Sequence, residues 1–170
     1  MSPRPGAALL RPLPLAAVAV LLFNDHWLKV YWPGLLSGKL SDVAGLCFFP
    51  LFLEALWLFA ACVLRRSAIS NDRALWVATL ATCVVFAAVK TVPFAGDMYR
   101  IGLAALQWPA RASWALIGGG ATPGLRRVAL WQDPTDLVAL PAAFPALVGR
   151  LLGPSRETPR ARHRTRRAAS

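Results

Sequence analysis

One run of side chains constrains this chain more than any other. Residues 43–64 are 22 amino acids, nearly all apolar, and Glu54 is their single charge. As a helix, at 1.5 Å per residue, such a run is roughly 33 Å long, and the hydrocarbon core of a bilayer is about 30 Å thick. That core holds no water to serve backbone amide groups, so a crossing segment of this kind must be helical. Further apolar runs lie at about 9–31, 74–95 and 135–152. The predicted fold is all-α and integral to a membrane, with four transmembrane helices at about 9–31, 43–64, 74–95 and 135–152, paired as two hairpins. An interfacial or re-entrant segment is expected between helices three and four. Residues 1–153 form the transmembrane domain, and 154–170 a basic cytoplasmic tail expected to be disordered.

Charge fits this layout. Only 16% of residues are charged, yet the net charge is +11, which requires the charge to gather in loops and tails. Residues 156–170 hold six Arg and one Glu, so +5 lies in the tail. A basic balance raises nucleic acid as a partner, but the positive-inside rule accounts for it more directly, and nucleic acid is not expected. With both termini in the cytoplasm, 12 of the 19 Lys and Arg fall inside and seven outside. Five of the seven tryptophans, Trp27, Trp32, Trp108, Trp114 and Trp131, then fall on the outer side, where aromatic belts form. The first residues resemble the charged start of a signal peptide, but Asn24-Asp25-His26-Trp27 follows the run instead of a small-x-small cleavage site. The first helix is therefore expected to be retained. Cys47, Cys62 and Cys83 have no Cys-x-x-Cys spacing and read as small apolar residues. No metal or other cofactor is expected.

The polar residues near the helix ends carry whatever chemistry the chain has. The box Gly38-Lys39-Leu40-Ser41-Asp42-Val43-Ala44-Gly45-Leu46 stands at the mouth of helix two, and its Ser41-Asp42 pair has an echo in Thr135-Asp136. Ser41 and Thr135 suit helix caps, with the carboxylate in the first turn where the helix dipole favours it. The alternative is a polar cluster at the outer end of the bundle, drawn from Asp25, His26, Lys29, Lys39, Ser41, Asp42, Lys90, Asp133, Thr135 and Asp136. Asp25 and Lys29 are four apart and can pair. That helix end either reaches headgroup water or helps line a site. Lys90 is about 24 Å along helix three, at a depth similar to Asp25, Asp42 and Asp136, so an ion pair with one of the three is expected. Glu54 is roughly 18 Å deeper than Asp42, near the bilayer midplane. Alone there, it is expected to be neutral and to donate a hydrogen bond between helices; a relay or ion-coordinating role is the alternative.

The box followed by Cys47-Phe48-Phe49-Pro50, with Asn24-Asp25-His26-x-x-Lys29 upstream and Asp133-Pro134-Thr135-Asp136 downstream, resembles an uncharacterised family of small bacterial multi-pass membrane proteins with a GKLSDVAGL box. The similarity covers roughly residues 20–145 and implies a multi-pass fold and a membrane location, with no catalytic residue.

These readings predict an integral inner-membrane protein, a non-enzymatic transporter-like or structural component with its polar cluster at the extracytoplasmic end. The competing reading is a membrane enzyme acting on a lipid-linked phosphate at the outer surface. Asp25, His26, Asp42 and Asp136 would there surround a divalent metal, with lysines on the phosphate. The expected partners are the lipid bilayer, anionic lipid headgroups at the C-terminal tail, and a second copy or a larger membrane complex.

Overall fold

The computed structural model describes residues 6–32, 34–65 and 70–151, and every regular element among them is a helix. A 3-10 turn, Ala7–Leu10, leads into α1 (Pro12–Phe23). Pro12 suits the first helical position, where its missing N–H would have no partner anyway. The π turn Asn24–Leu28 and the short α2 (Lys29–Tyr31) continue the same rod. Next come α3 (Leu35–Val63), α4 (Asn71–Thr91) and α5 (Pro93–Ile117). A 3-10 segment, Pro134–Ala143, and α6 (Pro145–Leu151) follow. Three stretches are long and apolar enough to cross a membrane: Pro12–Tyr31, Leu36–Val63 and Asp72–Thr91.

α3 is the hub, packing against α1, α4 and the 3-10 segment. Small residues make this possible. Among the described residues, nine of the 14 buried apolar side chains are alanines, which lets backbones approach closely. Leu56, Phe59, Val84 and Val85 are more than half exposed. A water-soluble bundle would bury such residues, whereas lipid gives no incentive to hide them.

Several boundaries differ from the sequence expectation, each for a physical reason. α3 begins at Leu35, well before residue 43. The Ser37 hydroxyl closes its first turn, accepting from the Gly34 N–H at 3.3 Å and donating to the Gly34 carbonyl at 2.9 Å. Gly38 and Lys39 are thus helical, tertiary contacts overriding the weak propensity of glycine. The third helix stops at Thr91 instead of 95, because Pro93 has no N–H to offer the Val89 carbonyl. Pro93 instead opens α5, 25 residues long, in the stretch where an interfacial or re-entrant segment was expected. The fourth helix, expected at 135–152, is the 3-10 segment joined to α6, with Pro141 and Pro145 interrupting any α-helical ladder. It is not among the three apolar crossing helices. A 3-10 helix rises about 2.0 Å per residue, so the joined segment still covers roughly 30 Å. The tail at 154–170 lies outside the described residues.

Candidate functional site

Three elements bring four charged side chains together. Lys39 and Asp42 are three residues apart on α3 and so share a face. Lys90 is in the last turn of α4. Asp136 is in the first turn of the 3-10 segment, whose N-cap is Asp133, its carboxylate accepting from the Thr135 N–H at 2.9 Å. Lys90 Nζ donates to Asp42 Oδ2 at 2.8 Å and to Asp136 Oδ2 at 2.6 Å. Lys39 Nζ donates to Asp136 Oδ1 and to Thr135 Oγ1, both at 3.0 Å. The charges therefore alternate along a chain, Lys39–Asp136–Lys90–Asp42, and cancel. Lys90 and Asp136 are each 8% exposed, so their mutual pairing matters, since a buried charge left alone is costly. The Lys90 ammonium also lies 5.5 Å from the centre of the Phe86 ring, within cation–π range.

A second ion-pair group lies further along the same helices. Glu54, 2% exposed, accepts a fork from Arg150, Nη1 to Oε1 at 2.6 Å and Nη2 to Oε2 at 3.0 Å. Arg150 Nη1 is also 3.7 Å from Asp72 Oδ1, at the start of α4. Bidentate geometry of this kind is the strongest form of charged hydrogen bond. Glu54 is thus no lone midplane carboxyl: both of its oxygens accept from a guanidinium, in place of the donor role expected of it. Residues 134–151 are clamped to α3 and α4 at both ends, through Asp136 at one and Arg150 at the other.

The other expected cluster members are elsewhere. Asp25 pairs with Lys29 at 2.6 Å, one turn away and exposed. His26 Nδ1 is 3.0 Å from the Leu22 carbonyl, also exposed. Neither joins the Lys90 group. The π turn turns Asn24 inward in their place. Asn24 is fully buried, and its amide donates to the Ser37 carbonyl at 2.8 Å and to Ser41 Oγ at 2.6 Å. The capping role expected of Ser41 and Asp42 is overturned, because both lie inside α3. In the echo, the cap is Asp133 and not Thr135. Asp42 and Asp136 nevertheless meet on one lysine.

Gln132 and Arg150 are the residues that the sequence did not single out for such roles. Gln132 Nε2 donates to the Val89 carbonyl at 2.9 Å and to the Val92 carbonyl at 3.1 Å. The Val89 carbonyl is the one that Pro93 leaves without a helical donor. Gly96 is pressed against Gln132, and a Cβ there would collide with the Gln132 amide and crowd Leu130. This joint fixes residue 132 at the end of α4 and so delivers Asp136 to Lys90. Proline and glycine close together hinted at a bend, but nothing in the sequence pairs them with a glutamine some forty residues away.

Among the described residues, no group of three or more His, Cys, Asp or Glu is placed to hold a metal ion. Cys47 donates to the Ala142 carbonyl at 3.1 Å, one more tie to the 3-10 segment. No protein-family model, curated protein or solved structure matches the chain, so the site rests on its own geometry.

Proposed function

We propose that this protein is a non-enzymatic structural component of a bacterial inner membrane. In this reading it crosses four times, with both termini in the cytoplasm and the Lys90 cluster at the extracytoplasmic end. The observation that carries it is the closed chain Lys39–Asp136–Lys90–Asp42, in which every charge has a partner. Such a group holds helices together and leaves no charge over for a substrate. Residues 134–151 supply the fourth crossing, because they start beside Lys39 and Lys90 and end beside Glu54 and Asp72. The split of 12 basic residues to seven supports the orientation. An enzyme acting on lipid phosphate is not favoured, since Lys39 and Lys90 are engaged by carboxylates and Asp25 and His26 stand apart.

A transporter-like role is the second reading, favoured by the ten-residue 3-10 segment. Runs of that length are uncommon and often mark hinges. Hydrogen–deuterium exchange on the full chain in lipid vesicles tests the clamp. Lys90→Met is expected to speed exchange at 134–143 while the middles of α3 and α4 stay protected. Unchanged exchange at 134–143 would remove the clamp reading.

A further inference from the structure

α5 separates its chemistry by face. At 100° per residue, Asp97, Arg100, Gln107 and Arg111 fall within an arc of about 80°. Phe94, Met98, Tyr99, Leu106, Leu116 and Ile117 fall within another arc of about 140°, which contains no charged residue. Residues 118–133 turn back along the charged side. Arg100 donates to the Leu130 carbonyl at 2.5 Å, Trp108 to the Pro123 carbonyl at 2.8 Å, and Gly96 meets Gln132. The apolar arc is left bare, each of its six large side chains at least 41% exposed.

Two observations identify what covers it. First, α5 continues directly from α4, one of the three crossing helices, and its bare face adds to a surface that is already apolar. Second, the returning residues 121–132 form neither helix nor strand. Hydrocarbon does not tolerate such backbone, so α5 and its returning partner cannot run through the bilayer together. A helix with a broad uncharged apolar face and a polar back, kept out of the hydrocarbon interior, suits the boundary between headgroups and acyl chains. Trp114 and Trp131, both at least 80% exposed, suit that boundary too. Arg111, Arg126 and Arg127 are exposed and have no ion pair among the described residues, a charge that suits phospholipid phosphates.

We infer that α5 lies flat in the membrane–water interface on the side of the Lys90 cluster, its bare face against phospholipid. The inference rests on the membrane-crossing reading of the bundle. A photoreactive benzoylphenylalanine placed at Met98, Leu106 or Leu116 of the full chain tests it, in vesicles of phosphatidylethanolamine and phosphatidylglycerol. These positions all lie on the exposed face, Met98 about half-exposed and the two leucines more so. Phospholipid adducts are expected at all three, several-fold above the yield at Gln107 on the polar back. A protein dimer adduct at these positions would assign the face to a second copy and overturn the inference, and yields no higher than at Gln107 would overturn it too. Val84, exposed midway along α4, separates the two readings. Lipid adducts at Val84 but not on α5 would defeat this inference alone, and their absence at Val84 would defeat the crossing reading as well.

Discussion

Lys90 is asked to serve two carboxylates, and they do not depend on it equally. Asp136 keeps Lys39 if Lys90 is lost, whereas Asp42 has no other cation within salt-bridge distance among the described residues. Truncating one member of a buried pair costs about 3–5 kcal/mol, mostly because the other charge is stranded. Lys90→Ala is expected to lower stability by about that amount, read by thermal unfolding in detergent micelles. The asymmetry makes a sharper demand. Adding Asp42→Asn to Lys90→Ala should recover more of the loss than adding Asp136→Asn, because it neutralises the stranded group. Equal recovery from both, or losses that simply add, would contradict the geometry described here. The pairing of Lys90 was legible from depth alone, since residues at equal distance along neighbouring crossing helices meet. Depth does not reveal azimuth, and so Asp25 remained a candidate until the π turn placed Asn24 inward.

At the level of elements, the apolar runs announced α1, α3 and α4, because a long run with almost no charge has few other fates. Their ends were far less legible. Gly38, Lys39 and Ser41 look like a loop and a cap, yet they are helical: the Ser37 hydroxyl takes up the Gly34 N–H that the helix start leaves open, and Asn24 ties down the Ser37 carbonyl and the Ser41 hydroxyl. The last segment was expected as an ordinary helix, and its 3-10 geometry escaped notice because proline spacing does not report helix type. Its inner anchor, Arg150 on Glu54, was invisible for the same reason: the reach of the segment depends on its rise. This anchor can be tested as a unit. Arg150→Met strands the buried Glu54 and is expected to cost about 3–5 kcal/mol, whereas Arg150→Met with Glu54→Met should recover most of it, since apolar replacements of a buried pair are often neutral. A double variant as unstable as the single one would mean that the pair matters for more than its charge.

For the whole molecule, the proposed four-pass arrangement makes a simple forecast. Reporter fusions at Ser70 are expected to read cytoplasmic, and fusions at Thr122 extracytoplasmic. The opposite result at either position would overturn the arrangement. The two clamps also bear on how such a protein is made. Residues 134–151 contain three prolines and carry Asp136 near one end and Arg150 near the other, both paired with residues on α3 and α4. A segment of this kind entering lipid by itself would bring bare charges and unpaired carbonyls with it. α3 and α4 precede it in the chain, so in the proposed arrangement they can enter the membrane before it does. If residues 134–151 cross as proposed, the earlier hairpin would act as an intramolecular insertase for the later segment, and the order of synthesis would become part of the folding mechanism.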